Sequence, residues 1–330
     1  MKMSKEIDIV ALGELLIDFT ESGYSKNGMK LFEQNPGGAP ANLLTAASHM
    51  GCSTAFVGKV GNDMHGHFLK ETLKKEGIDT RAVLEDTEYF TTMAFVELDE
   101  RGERSFSFAR KPGADTMLRK EELDENLLSN CKIFHFGSLS LTNEPSRSAT
   151  LEAVSIARKA GVIISYDPNY RASLWKSGCT AVEEMKKVIS LADIMKVSDE
   201  ESLLLTGASN YEDASDEFLK MGIKLVAITL GKQGVLVARK DQREIFDAFS
   251  VNTVDTTGAG DSFWGGFLSR LLSYNQAIEK LEWKEIGQCA LTGNAVAALC
   301  VQSRGGIPSI PGKDDVELFI RNNRKRCSYD

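Results

Sequence analysis

The 330-residue chain has no apolar run near the roughly 18 residues that a membrane-spanning helix needs, which argues against a membrane partner. Met1 to Asp8 is charged and lacks the apolar core of a signal peptide, so the expected location is cytoplasmic. Six cysteines (Cys52, Cys131, Cys179, Cys289, Cys300, Cys327) are scattered without a CxxC pair. That excludes a disulfide frame and a zinc site and leaves reduced thiols. His65 and His67 are near neighbours, but no second pair stands at ligand spacing, so they read as a solvated helix start. An excess of positive charge is missing too: 39 Lys and Arg face 47 Asp and Glu, for a net charge of −8. No basic face is available to displace counterions from a nucleic acid. The one basic cluster, Arg321 to Arg326, reads as a solvated terminus. Two phosphate fingerprints are absent as well. Gly231-Lys232 is followed by Gln233 and lacks the upstream glycine of a P-loop, and no GxGxxG follows a strand. A P-loop enzyme and a nicotinamide dehydrogenase therefore lack their signatures.

What is present is an ordinary globular composition, 42% hydrophobic and 26% charged, on a chain long enough for a large core. Ile7 to Gly13 reads as a buried strand, Pro40 to Met50 as a helix stopped by Gly51, and Thr54 to Val60 as a strand. His67 to Glu76 is an amphipathic helix closed by Gly77. Thr92–Leu98 and Arg104–Arg110 are β-rich runs joined by Asp99–Glu103, a hairpin signature. Phe106, Phe108 and Arg110 alternate onto one face. With the β-prone stretch Leu15–Glu33, these runs suggest a small sheet apart from the main core, a lid spanning about 14–36 and 89–112.

From Cys131 the pattern becomes strand, helix, strand, helix. Strands are expected at Ile133–Phe136, Val162–Tyr166, Ile194–Val197 and Leu225–Thr229, and helices at Ser146–Lys159, Val182–Leu191 and Asp199–Leu219. Repeated βα units of this length predict an α/β fold: a predominantly parallel, Rossmann-like sheet with helices on both faces. With no repeat, low-complexity tract or long linker, 1–330 reads as a single domain with its lid. Ligands of such sheets bind beyond the strands' carboxyl ends, where Asp167, Asn169, Lys196, Ser198, Thr229 and Gly231 fall.

The densest chemical signal is Asp255-Thr-Thr-Gly-Ala-Gly-Asp261, which runs into a helical pattern of Phe263, Trp264, Phe267, Leu268, Leu271 and Leu272. A helix N-terminus offers unpaired N–H groups and a positive dipole end, so it can cradle an anion without Lys or Arg. Gly258, Ala259 and Gly260 leave room for a ligand, and Asp261 stands in the first turn beside it. An acid there repels a resting phosphate. An enzyme that deprotonates a hydroxyl before the hydroxyl attacks a phosphoryl group needs both features. A helix cap with a flexible glycine loop would use the same residues. Gly265 and Gly266 each cost about 1 kcal/mol relative to Ala inside a helix, which suggests another backbone packing closely there.

Gly37-Gly38-Ala39-Pro40-Ala41-Asn42 suggests close ligand approach, with Asn42 able to donate and accept toward sugar hydroxyls, or equally a tight turn before a helix. Asp18 follows the first strand, where carboxylates are usually solvated. Together Gly37–Asn42, Gly58–Asp63, Tyr166-Asp-Pro-Asn-Tyr-Arg171, Thr229-Leu-Gly-Lys-Gln-Gly234 and Asp255–Asp261 resemble the ribokinase-type carbohydrate kinase superfamily. Within it they are most similar to the fructokinases, through Gly13–Asp18, Gly37–Asn42 and Phe108–Asp115. The resemblance runs from Val10 to Pro311.

The resemblance implies an ATP- and Mg²⁺-dependent kinase acting on a terminal hydroxyl of a small sugar, D-fructose first. A 2-keto-3-deoxygluconate kinase and a ribose or riboside kinase are alternatives, and a non-catalytic sugar sensor on the same scaffold is the alternative from another class. It implies Asp261 as general base and the amides of Gly258, Ala259, Gly260 and Asp261 as an anion hole. Asp18, Gly38, Asn42, Phe95, Phe108, Arg110 and Arg171 would bind sugar. Lys196, Glu201, Thr229, Gly231 and Asn294 would surround the nucleotide, with Ser198 where many relatives carry Asn in an Asn-x-x-Glu motif. A monovalent cation, K⁺, would lie among Asp255, Thr257, Cys300, Ser303, Gly305 and Ser309. Arg110 and Arg171 would be the grip on a carboxylate if the substrate were an acid sugar. A small sheet with an apolar face has reason to pair with a second copy, so a homodimer through the lid is expected.

Overall fold

The apolar runs of the sequence are buried on both faces because they fill the middle of a nine-stranded sheet. The computed structural model describes residues 5–98, 104–240 and 242–323. In chain order the strands are β1 (Ile7–Leu12), β2 (Leu16–Tyr24), β3 (Lys30–Gly37), β4 (Thr54–Gly61), β5 (Ile78–Asp86), β6 (Met93–Leu98), β7 (Arg104–Ala109), β8 (Cys131–Gly137), β9 (Ile163–Asp167), β10 (Ile194–Ser198), β11 (Leu225–Thr229), β12 (Val235–Arg239) and β13 (Gln242–Phe246). The large sheet runs β13-β12-β11-β10-β9-β8-β1-β4-β5. It is parallel except for β11–β12 and β12–β13, which are antiparallel.

Side chains alternate between two helical layers, as a period of two requires. Val10, Leu12, Val226 and Ile228 face one layer, and Ile9, Ala11, Leu225 and Ala227 the other. The helices are α1 (Ala39–His49), α2 (Met64–Lys75), α3 (Glu125–Ser129), α4 (Ser146–Lys159), α5 (Gly178–Ile189), α6 (Asp199–Thr206), α7 (Tyr211–Lys220), α8 (Ala259–Ser273), α9 (Trp283–Cys300) and α10 (Lys313–Asn323). Helices α3 to α7 cover the first face, and α1, α2, α8 and α9 the second. No described helix is long and apolar enough to cross a membrane.

A separate four-stranded sheet, β3-β2-β6-β7, forms the expected lid. The hairpin turn at 99–103 lies outside the described residues, as do Cys327 and positions 324–326 of the basic cluster. The single helix expected over Asp199–Leu219 is two. Gly207, at φ 78°, caps α6 in the left-handed region, and the Asn210 side chain accepts from Asp213 N–H to start α7. Helix α5 begins at Gly178, four residues ahead of expectation, because Ser177 supplies its cap.

Candidate active site

Helix α8 owes its position to the two glycines inside it. A Cβ on Gly265 would enter the Leu43 carbonyl oxygen of α1 and come 2.7 Å from Ala46 Cβ. One on Gly266 would come 2.8 Å from Val296 Cγ2 and 3.3 Å from Gly293 Cα of α9. The close backbone approach expected from the sequence is therefore present, and α1 lies directly against α8. At the start of α8, Gly258 adopts φ 74°, and the Asn42 side chain and Gly306 crowd its missing Cβ.

This docking brings Asn42 to Asp261. Asn42 Nδ2 donates to Asp261 Oδ2 at 2.9 Å, and Asn169 Nδ2 donates to Oδ1 at 2.9 Å. Asn169 is itself in the left-handed region, φ 45°, with its N–H donating to Asp167 Oδ1. Two amides thus fix the Asp261 carboxylate, and each oxygen keeps a further lone pair for a substrate proton. Of the first amides of α8, Ala259 N–H donates to Thr256 O and Ser262 N–H to Gly258 O. Those of Gly260 and Asp261 have no acceptor inside the helix.

The Lys196 ammonium sits beside these amides, 2.7 Å from where a Gly260 Cβ would be and 3.0 Å from Asp167 Oδ2. Burial pulls the ammonium's pKa down, but Asp167, Glu201 and Asp261 outweigh it and hold it above the ordinary lysine value. Burial raises the Asp167 carboxyl to about 7 against the pull of Lys196, with Glu201 and Asp261 adding to the rise. Glu201 accepts from Tyr170 N–H through Oε1 and from Ser198 N–H through Oε2. Ser198 in turn accepts from Glu201 N–H and closes a capping box on α6. Serine is therefore a sound N-cap for α6.

Beyond Asp261 opens a cavity of about 300 Å³, lined by Leu16, Asp18, Gly38, Asn42, Phe108, Arg171, Gly258 and Asp261 together with Glu14, Leu139 and Asn169. Its volume lies at the small end of ligand sites. Two expected sugar residues are not on its wall. Phe95 pairs in register with Phe19 of β2, whereas Asp18 pairs with Ala94 and Ala94 with Phe108. Phe95 consequently points to the opposite lid face, stacked on Phe19 at 5.3 Å and edge-on to Phe32. Arg110 is buried away from the cavity. Its Nε donates to Asp115 Oδ2, one terminal nitrogen to Thr142 Oγ1 and the other to the Leu139 carbonyl. It braces the wall at Leu139 and has no free fork to grip a carboxylate.

Of the residues expected around the nucleotide, Thr229 ends β11 and Gly231 (φ 58°) opens the following turn. Asn294 is buried in α9, and its amide donates to the Phe246 and Asp247 carbonyls, which pins the segment after β13. In the expected cation loop, Asp255 accepts from Thr257 N–H at Oδ1 and Gly305 N–H at Oδ2. Cys300 Sγ lies 3.0 Å from Ser309 Oγ, which donates to the Gly305 carbonyl. Those five residues converge. Ser303 does not: it is exposed, and its N–H donates to the Cys300 carbonyl. The residues without an assigned sequence role are Asn169, Asp167 and Glu14. Asp167 and Asn169 already lay at a strand's carboxyl end, and only the fold reveals that they meet Asp261 and Lys196.

A family model described as pfkB family carbohydrate kinase matches residues 6–313. "Probable fructokinase-4" of Arabidopsis thaliana is 41% identical over 319 residues, covering 96% of this chain and 97% of that one. Among solved structures, the fructokinase of Xylella fastidiosa with bound ATP is 31% identical with a TM-score of 0.86, covering 96% of this chain and 99% of its own. The fructokinase of Vibrio cholerae, in a form with fructose, ADP and calcium ion bound, is 33% identical with a TM-score of 0.85, covering 95% and 99%.

Proposed function

From the premise that the chain belongs to the pfkB family of carbohydrate kinases, we propose that it transfers the γ-phosphoryl group of ATP to a terminal hydroxyl of D-fructose. The observation that carries this reading is the Asp261 carboxylate, clamped by Asn42 and Asn169 where the cavity meets the start of α8. A sugar hydroxyl reaching the cavity floor gives its proton to Asp261 and attacks the phosphoryl group held at the helix terminus. General-base assistance of this kind contributes about 10²–10⁴-fold. The Gly260 and Asp261 amides and the Lys196 ammonium face the charge that develops on the moving group, a term of about 10²–10³-fold per well-aimed donor. Asp18, Gly38, Asn42, Phe108 and Arg171 hold the sugar.

Three carboxylates, Asp167, Glu201 and Asp261, surround the single lysine, so the site suits a triphosphate that arrives with a divalent cation, here Mg²⁺. Both Glu201 oxygens accept backbone N–H groups, which favours contact with the ion through water. When bound, the ion neutralises charge on the β- and γ-phosphates. The converging carbonyls and hydroxyl around Asp255, Thr257, Gly305 and Ser309 suit K⁺, which would stiffen the loop before α8. Exposed Tyr24, Met29, Leu31 and Phe32 on the β2–β3 hairpin give the lid an apolar surface, which supports pairing with a second copy. Light scattering should show a dimer, and a monomer at all concentrations would remove that part. A cytoplasmic location belongs to the same proposal.

An ATP-coupled assay over D-fructose, 2-keto-3-deoxygluconate, ribose and a riboside tests the substrate. Fructose is expected to give the highest kcat/KM. A preference for the acid sugar would overturn the assignment, and it would be unexpected with Arg110 already tied to Asp115.

A further inference from the structure

Glu14 is the one buried acid on the cavity wall to which the proton-transfer scheme gives no part. It is 3% exposed and lies at the junction of β1 and β2, level with the turn that carries Gly38 and Asn42. Its Oε1 accepts the Ala39 N–H at 3.0 Å. That N–H belongs to the first residue of α1, where no intrahelical acceptor exists. The backbone of Glu14 packs under the same turn, with its carbonyl carbon 3.2 Å from where a Gly38 Cβ would be. One residue therefore holds the Gly38–Asn42 turn through both its backbone and its carboxyl, and it lines the cavity.

We propose that Glu14 is a positioning residue for the sugar, fixing the Gly38–Asn42 turn through Ala39 and coupling its own ionisation to sugar binding. The inference rests on the sugar-kinase reading. Burial raises the Glu14 carboxyl to about 7, with Asp115 adding to the rise, against hydrogen bonds from Ala39 and its own backbone and the charge of Arg110. Asp18, Asp261 and Arg171 line the same cavity. Arg110 is already neutralised by Asp115, at 2.6 Å. A sugar that fills the cavity removes the remaining water, so a second or third negative charge becomes harder to hold there. The uncharged Glu14 binds sugar better, and sugar affinity falls as pH rises through about 7.

The test is direct sugar binding by calorimetry, alongside steady-state kinetics, from pH 6 to 8.5, on the wild type, Glu14→Gln and Glu14→Ala. Wild-type Kd for fructose should rise roughly threefold to tenfold across that range. Glu14→Gln keeps an acceptor for Ala39 N–H and cannot ionise, so its Kd should stay flat. Glu14→Ala should raise sugar KM by about tenfold or more while KM for ATP stays near the wild-type value. A Glu14→Gln enzyme that retains the wild-type pH dependence would overturn the coupling, and a Glu14→Ala enzyme with wild-type sugar KM would overturn the positioning role. If fructose fails as substrate, the substrate reading fails separately, and the same three proteins are compared on whichever panel sugar binds.

Discussion

Replacing Gly265 with alanine sets a favourable local effect against an unfavourable tertiary one, and the structure says which wins. Inside a helix, alanine is better than glycine by about 1 kcal/mol. The added Cβ, however, enters the Leu43 carbonyl oxygen and comes 3.2 Å from Ala47 N. These are backbone atoms of α1 and cannot rotate aside, so α1 and α8 must separate. Overpacking of this kind costs about 1–3 kcal/mol, and with no rotamer to relieve it the upper part of that range applies. Net destabilisation of about 1–2 kcal/mol is expected, a fall of roughly 1.5–3 °C in Tm for a chain of this size. The same separation pulls Asn42 away from Asp261, and a displacement near 1 Å at a reacting centre can lower turnover about a hundredfold. Gly266→Ala is the control. Its Cβ meets Val296 and Gly293 of α9, not α1, so stability should fall here too while the Asn42–Asp261 contact and kcat stay closer to wild type. Calorimetric unfolding and ATP-coupled turnover of both variants make the comparison. A Gly265→Ala protein as stable and as active as the wild type would refute the argument that close α1–α8 contact sets the site.

Gly260→Ala places a Cβ 2.7 Å from Lys196 Nζ, the end of a flexible side chain, so stability should change by less than about 1 kcal/mol. Its kcat should nevertheless fall about tenfold or more as the ammonium is displaced. Unchanged kcat would remove Lys196 from the phosphoryl site. His135, bonded to Ser165 Oγ, is held by burial at a pKa of about 3, with Lys196 adding to the depression. An unfolded histidine titrates near 6.5, so the unfolded chain binds the extra proton between about pH 3 and 6.5, and this residue's contribution to stability falls as pH drops through that window, against the opposite contributions of Glu14 and Asp167. The slope from this residue is about 1.4 kcal/mol per pH unit, and His135→Gln should flatten it in denaturant titrations at pH 4 to 7. Parallel slopes in the two proteins would contradict the buried neutral imidazole.

Much of the fold was legible because buried parallel strands and amphipathic helices carry period and punctuation. Ile7–Leu12 and Leu225–Thr229 read as apolar runs, and Gly51 and Gly77 as stops. Helix α9 was not delimited, since Ile286, Cys289, Ala290, Leu291 and Ala295 bury it nearly all round and leave no polar stripe. The break at Gly207 was missed because a periodic pattern continues on both sides of it. At the site, the Gly-rich helix start and Asp261 were readable from local chemistry. The directions of Phe95 and Arg110 were not. Lid register turns the first away, and a long-range bond to Thr142 and Leu139 captures the second. Glu14 escaped notice because its ligand-facing position depends on Ala39, 25 residues away.

Asp261→Asn changes one atom and leaves an acceptor for one of the two clamping amides. Its single-turnover rate with saturating ATP and fructose, set beside its fructose Kd, is the most direct measurement of proton removal at this position. The rate should fall by about 10²–10⁴-fold while the Kd stays within a few-fold of wild type. A rate within tenfold of wild type would mean that another group takes the proton, and the account of this site would be wrong.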